Sequence, residues 1–171
     1  PGPPRAGTAP LGAVVDARTV AHCKSLIADA LASGAEQLVG GETTGEVLMP
    51  PHVIDRLTTD MKLFRDESFG PVVGIIRARD TEHAITLAND TEYGLSASVF
   101  TRDIALGLSV ARRIQSGICH VNGPTVHDEP QMPFGGTKAS GHGRFGGKAG
   151  IDAFTELRWV TIDTQPVHYP I

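Results

Sequence analysis

The chain has 171 residues, of which 40% are hydrophobic and 20% are charged, and its formal net charge is −4. This composition is typical of a folded globular protein, and the length suffices for one domain with a real core. The negative charge argues against nucleic-acid binding, and no apolar run is long enough to span a membrane. Two cysteines make no disulfide framework, so we expect a cytoplasmic protein.

The first third of the chain predicts one long helix followed by short extended segments. Asp16 is a good N-cap for a helix that continues to about Ser33, and Gly34 stands where a glycine ends a helix. A short strand is predicted over 37–39. Two consecutive prolines precede residues 52–54, which restricts that segment to edge or extended structure.

From residue 72 the pattern alternates between strands and helices. Strands are predicted over 72–76, 95–100 and 118–122, with helices from Asp80 to about 88 and from Asp103 to 117. The strand over 72–76 is rich in β-branched residues and almost continuously apolar, as a strand buried on both faces would be. This β-α-β-α-β order predicts an α/β fold with a parallel, doubly covered sheet.

The last part of the chain predicts a short helix over 147–154 and then a strand over 155–162. This strand carries Leu157, Val160 and Ile162 and has no following partner. An unpaired apolar strand is an aggregation hazard, which pairing with another chain would remove. The alternative, that the strand joins the sheet of its own domain, is equally compatible with the sequence.

Residues 133–147 form a glycine-rich segment that also holds two phenylalanines. Large apolar side chains are rare in linkers, so we expect the segment to fold tightly against a core or a ligand. Residues 141–146 match G-x-G-x-x-G, but no buried strand precedes them, and we interpret the match as coincidence. The basic residues Lys138, Arg144 and Lys148 either hold a phosphate with loop amides or are solvated charges.

The remaining candidates for chemistry are two cysteines and a group of histidines. Cys23 lies on the apolar face of the first helix and Cys119 lies inside an apolar strand, so both are interpreted as core residues rather than nucleophiles. His120, His127 and His142 lack the spacing of a metal site, and no metal is expected.

Before the strand at 72, the turn Glu67-Ser68-Phe69-Gly70-Pro71 combines a carboxylate with an aromatic ring two residues later. A carboxylate accepts hydrogen bonds from a vicinal diol such as a ribose, and a neighbouring ring can pack beside it. Taken alone, the pair is better explained as a capping Glu and a core Phe.

Three segments together resemble the C-terminal part of the NAD(P)-dependent aldehyde dehydrogenase family. Residues 67–72 look like its E-x-F-G-P-V motif, and 88–101 look like its A-N-x-T-x-Y-G-L-x-A-x-V-F-T segment. Residues 133–144 look like P-F-G-G-x-K-x-S-G-x-G-R. The variants at 121–128 and 154–159 are similar to members that act on aromatic aldehydes such as salicylaldehyde, vanillin or benzaldehyde.

The resemblance implies nicotinamide-dependent oxidation of an aldehyde to a carboxylic acid, with NAD or NADP as cofactor. In the family, a cysteine thiolate attacks the aldehyde, a hydride passes to the nicotinamide, and a glutamate-activated water releases the acid. Glu67 matches the family residue that binds the nicotinamide ribose, and Phe69 matches the ring that packs beside it. Phe134 matches a wall of the aldehyde tunnel, and Val126 and His127 match the loop at its mouth.

The resemblance also divides the chain. It implies a catalytic-domain portion over 1–154 and an oligomerisation strand with its tail over 155–171, with homo-oligomer contacts through 156–162. Neither Cys23 nor Cys119 matches the family nucleophile, and the opening residues read as cut from a longer polypeptide. We therefore expect this chain alone to be inactive. The rival hypothesis is a non-catalytic binding or interaction module derived from the same fold, using the terminal strand for pairing.

Overall fold

The computed structural model describes residues 1–3, 5, 7, 9–166 and 168. The chain divides into two compact units, Pro1–Ala88 and Asn89–Ile171. Within the described residues, none of the helices is long and apolar enough to cross a membrane. Five α-helices and five strands are formed in the part of the chain that the structure describes, together with a 3-10 turn at Lys138–Ser140. In chain order they are α1 (Ala17–Ala32), β1 (Glu36–Val39), β2 (His52–Asp55), α2 (Lys62–Arg65), β3 (Val72–Gly74), α3 (Thr81–Asn89), β4 (Ser96–Val99), α4 (Ile104–Ala111), β5 (Ile118–Val121) and α5 (Gly147–Ala153).

The predicted first helix is confirmed as α1. The Asp16 side chain accepts a hydrogen bond from the Thr19 amide at 2.8 Å, which caps its first turn. Gly34 follows the helix with φ of +96°, a left-handed conformation that favours glycine. The buried face of α1 packs with β2 and neighbouring loops to form the core of the first unit. That core consists of Val20, Cys23, Ile27, Ala30, Met49, Ile54, Leu57 and Met61.

The sheet of the first unit has the order β1-β2-β3, with β2 antiparallel to β1 and parallel to β3. Residues 52–54 are extended, one of the two predicted possibilities, but β2 is the central strand of the sheet rather than an edge. Its two prolines lie just before the strand, where their missing amides remove no bond from the sheet. The predicted burial of β3 on both faces was wrong. Val73 is 54% exposed, because β3 is an edge strand of only three residues.

The second unit is built on β4 and β5, which pair in parallel from Ser96↔Ile118 to Val99↔Val121. Helix α4 begins at the predicted cap Asp103, whose side chain accepts from the Leu106 amide at 3.0 Å. It crosses the sheet at Gly107, where an added Cβ would lie 2.8 Å from Val121 Cγ1. The predicted α/β class with parallel strand pairing is confirmed, although these strands form two small sheets.

The end of α4 and the end of the chain differ from the prediction. Helix α4 ends at Ala111 rather than 117, because the Asn89 side chain bonds the Arg113 carbonyl at 2.9 Å and the Gln115 amide at 2.8 Å.

Helix α5 is confirmed. Residues 155–162 form no strand in this chain, so the alternative in which they join the sheet of their own domain is not observed. The boundary at 154 stays a prediction.

Candidate functional site

The turn Glu67-Ser68-Phe69 follows α2 and presents both predicted side chains to solvent. Phe69 is 79% exposed, and its backbone has φ of +48°, a left-handed conformation that costs a non-glycine residue about 1 kcal/mol or more. The Glu67 carboxylate is exposed and has no hydrogen-bond or ion-pair partner within the part of the chain that the structure describes. The reading of this pair as a capping Glu and a core Phe does not fit these positions.

Helix α1 holds this turn from one side. His22 Nε2 donates to the Glu67 carbonyl oxygen at 3.0 Å, and Cys23 Sγ donates to the Ser68 carbonyl oxygen at 3.2 Å. An added Cβ at Gly70 would lie 2.4 Å from the same sulfur. Cys23 is fully buried, and burial raises the pKa of its thiol. The prediction that Cys23 is a core residue is confirmed, but its hold on the turn was not anticipated.

Two shallow grooves border the Phe69 ring. One of about 550 Å³ is lined by residues 11–15 and 69–71, and the other, of about 410 Å³, includes Asp16, Thr19 and His22. An exposed carboxylate beside an exposed ring fits the chemistry of a ribose with an attached nicotinamide, since the carboxylate accepts from hydroxyls and the ring covers an apolar face. Glu67 and Phe69 can therefore hold one side of such a cofactor.

The second unit contains a cavity of about 310 Å³ between β5 and the following loops. Of the three residues predicted for an aldehyde site, His127 and Phe134 line this cavity, while Val126 is 91% exposed and is not part of its lining. Its lining residues are Gly117, Ile118, Cys119, His120, His127, Asp128, Glu129, Met132, Pro133 and Phe134. One part of the wall is thus apolar, and another carries histidines and carboxylates.

Hydrogen bonds along the strand edges fix the loop that carries His127. Asn122 has φ of +59°, and its side-chain amide accepts from the Thr101 amide and donates to the Thr101 carbonyl, each at 2.8 Å. Ser96 Oγ donates to the Thr125 carbonyl at 2.8 Å, tying the loop to β4. These contacts join residues more than twenty positions apart, so no local pattern in the sequence indicates them.

The polar part of the cavity wall contains an interacting group of three side chains. The His120 and His127 rings lie edge to face, with centroids 5.4 Å apart and an interplanar angle of 87°. His127 Nε2 lies 3.3 Å from Glu129 Oε1. His120 Nε2 is buried and has no hydrogen-bond partner among the described residues. The same holds for Ser98 Oγ, whose residue pairs with His120 across the β4–β5 sheet.

The glycine-rich segment folds tightly against the rest of the second unit, as predicted. An added Cβ at Gly117 would lie 1.8 Å from the Gly135 carbonyl oxygen, so the two backbones touch. Lys138 Nζ donates to the Asn89 and Thr91 carbonyls at 2.8 and 3.0 Å, and Arg144 donates to the Gly136 carbonyl at 2.8 Å. These two cations hold backbone carbonyls, which is neither the phosphate role nor the solvated role considered for them.

Cys119 is partly buried in the cavity wall, and burial raises the pKa of its thiol. A raised pKa opposes the thiolate form that a nucleophile requires. The prediction that Cys119 is a core residue was wrong, because the residue is only partly buried and lines the cavity. Among the described residues, no group of three or more His, Cys, Asp or Glu side chains is arranged to hold a metal ion.

Comparison with known proteins gives a consistent result across the chain. A model of the aldehyde dehydrogenase family matches residues 1–160. The chain is 53% identical to a vanillin dehydrogenase of Pseudomonas fluorescens over 161 residues, which are 94% of this chain and 33% of that protein. The chain thus spans about a third of the length of such relatives.

Two solved structures are similar to the fold described above. The crystal structure of a salicylaldehyde dehydrogenase from Pseudomonas putida complexed with salicylaldehyde matches with a TM-score of 0.81 and 44% identity, over 90% of this chain and 32% of that one. A Mycobacterium tuberculosis aldehyde dehydrogenase complexed with NAD+ matches with a TM-score of 0.83 and 33% identity, over 91% and 32% of the two chains.

Proposed function

This chain belongs to the aldehyde dehydrogenase family, and from that premise we propose that it forms part of an enzyme that oxidises an aromatic aldehyde to the carboxylic acid. The observation that carries the proposal is the cavity lined by Phe134 and His127. Its volume of about 310 Å³ is roughly twice the 150 Å³ or so that suffices for a benzene ring. An aromatic ring with its aldehyde group and one substituent therefore fits.

The residues of this chain would bind and orient the aldehyde rather than react with it. Phe134 presents an apolar ring to the cavity, where it excludes water and packs against a flat substrate. His127 and the neighbouring Val126 lie on the exposed loop at its edge and would shape the entrance. Holding the substrate in one orientation lowers the entropy cost of the reaction.

Glu67 and Phe69 would hold the nicotinamide cofactor, NAD or NADP. The exposed Glu67 carboxylate accepts hydrogen bonds from the ribose hydroxyls, and Phe69 packs beside the sugar and ring. The nicotinamide supplies the acceptor for the hydride that leaves the aldehyde carbon. The left-handed backbone at Phe69 supports this role, because strained residues concentrate where a ligand must be met.

Residues 156–162 would join one copy of the chain to another. Leu157, Trp159, Val160 and Ile162 are all largely exposed in the single chain. Such an apolar run on the surface supports a contact with a partner.

We infer further that the 171-residue chain alone does not turn over aldehydes. Cys23 is fully buried with its Sγ bonded to the Ser68 carbonyl, and Cys119 is partly buried in a strand. Burial raises the pKa of both thiols, which opposes the thiolate form that a nucleophile needs. Steady formation of NADH by the isolated chain with benzaldehyde would contradict this.

The activity is tested in what we call the complete enzyme, in which this segment is joined to the other two thirds found in its relatives. One form is the P. fluorescens vanillin dehydrogenase with this segment in place of its matching third. We expect kcat/KM for benzaldehyde to exceed that for acetaldehyde at least about tenfold, since the ring buries apolar surface that a methyl group lacks. Equal values would contradict the aromatic assignment, and no aldehyde-dependent NADH or NADPH formation would contradict the activity.

A further inference from the structure

Among the residues of the second unit that the structure describes, two polar side-chain atoms are buried without a hydrogen-bond partner, and they belong to residues that face each other. Ser98 on β4 pairs with His120 on β5 in the parallel register. Paired residues of neighbouring strands project from the same face of a sheet, and the strands lie about 4.8 Å apart. The Ser98 and His120 side chains therefore lie side by side on one face of the sheet, and their two unpartnered atoms do not bond each other.

Unpartnered buried polar atoms are uncommon in folded proteins, because each loses its hydrogen bonds to water without replacement. Two such atoms on neighbouring strands indicate a site where a polar group is to be received. His120 lines the cavity that carries Phe134, so this side chain connects the cavity to the β4–β5 pair, while Ser98 lies outside the lining. The half-exposed His127 ring lines the same cavity and stands edge to face with His120.

We propose that His120, supported by Ser98, is the specificity-determining contact for a hydroxyl group on the ring of the aromatic aldehyde. This inference rests on the proposed function and names the substrate class more closely. A hydroxyl both donates and accepts, so one oxygen between the two strands can bond the imidazole nitrogen in either tautomer and the serine hydroxyl as well. The apolar wall near Phe134 and Met132 receives the ring itself.

The experiment measures kcat/KM of the complete enzyme for hydroxybenzaldehydes and for methylbenzaldehydes with the substituent at the same ring position. A methyl group has about the size of a hydroxyl but forms no hydrogen bond. We expect the wild type to prefer the hydroxyl compound in at least one of the ortho, meta and para pairs. His120→Phe is expected to lower that preference about 10- to 100-fold, the cost of leaving a buried hydroxyl unpartnered.

Matched variants separate this role from a structural one. The ratio of two substrates on one preparation does not depend on the fraction of enzyme that is folded, so it is informative even if His120→Phe is unstable. His142→Phe makes the same change at an exposed histidine of the glycine-rich segment and should leave the ratio unchanged. His120→Gln, which retains hydrogen-bonding groups, should recover part of the preference.

The outcomes distinguish this inference from the proposed function. If benzaldehyde is oxidised but the hydroxyl-to-methyl ratio is the same in the wild type and His120→Phe, the inference is wrong and the proposed function stands. If His120→Phe lowers the thermal stability but leaves the hydroxyl-to-methyl ratio unchanged, the hydrogen-bond partner of His120 is another segment or a water. That result also overturns the inference. If none of these aldehydes is oxidised, the proposed function itself fails.

Discussion

The sulfur of Cys23 donates a hydrogen bond to the Ser68 carbonyl at 3.2 Å and also occupies the space that a side chain at position 70 would need. One buried atom of α1 thus sets the position of the turn that presents Glu67 and Phe69. This contact links the core of the first unit to its proposed cofactor-binding face. It can be tested by adding a methyl group at position 70 and by removing the sulfur at position 23.

Gly70→Ala is expected to weaken cofactor binding, because its added Cβ would lie 2.4 Å from Cys23 Sγ and displace the turn. Cys23→Ala removes that sulfur, so the double variant should regain much of the lost affinity. The measurement is the Kd of NADH for the complete enzyme in all four members of the cycle. If the two substitutions act independently, the contact does not position the turn.

Glu67→Gln is expected to raise the Kd of the oxidised cofactor about 10- to 100-fold, because a hydrogen bond to a charged group contributes about 1.5–3 kcal/mol. Hydride transfer should slow as well, while KM for the aldehyde stays close to the wild-type value. Asp66→Asn, a neighbouring exposed carboxylate, is the control. Equal effects of the two changes would argue against a specific role for Glu67.

The stability of the 171-residue chain should depend on Asp55, whose side chain is only 2% exposed. A hydrogen bond from Arg77, then one from the Arg56 amide, lowers the pKa of this carboxyl below its ordinary 3.8. A lowered pKa stabilises the fold above the ordinary value, and the stabilisation is lost as the pH falls through the folded-state pKa. Asp55→Asn should therefore lower the free energy of unfolding at neutral pH. The decrease of that free energy as the pH falls into the acidic range should also become smaller.

Urea denaturation at a series of pH values measures this effect. Glu46→Gln, at an exposed carboxylate, is the matched control and should leave the acid dependence unchanged. An Asp55→Asn chain with the wild-type acid dependence would mean that the Arg77 contact does not stabilise the first unit.

Replacing the exposed apolar residues Leu157 and Trp159 by serine should dissociate the oligomer of the complete enzyme. Trp159 is 91% exposed in the single chain, so its burial requires a partner. Sedimentation velocity should show a lower mass for the double variant, and Arg158→Ser in the same segment should not change it. An unchanged mass would place the subunit contact elsewhere.

Local patterns predicted the elements that depend on local contacts. Asp16 and Asp103 cap α1 and α4 through side-chain bonds to amides three residues later, which the sequence displays directly. The end of α4 was missed because Asn89, more than twenty residues away, bonds the backbone there. The run over 72–76 predicts burial, but whether a strand is central or at an edge depends on the topology of the sheet.

The difference between local and long-range contacts also determines which residues of the candidate site could be predicted. Glu67, Phe69 and Phe134 could be proposed because they stand within motifs that resemble a family. His22 and His120 belong to no such motif. His22 contacts the carbonyl of a residue 45 positions away. His120 is singled out only because its Nε2 atom is buried without a partner among the described residues. Contacts of this kind follow from tertiary packing, and no spacing in the sequence indicates them.

Phe134 and Phe145 provide the most direct test that the cavity receives the aldehyde. Their backbones bond reciprocally, at 2.9 and 2.7 Å, but only Phe134 lines the cavity. The measurement is KM for benzaldehyde in the complete enzyme with either residue changed to alanine. Phe134→Ala should raise it about 30-fold, the equivalent of about 2 kcal/mol of lost apolar contact, and Phe145→Ala should change it less than about threefold by the same reasoning. Equal KM values in the two variants would contradict the account.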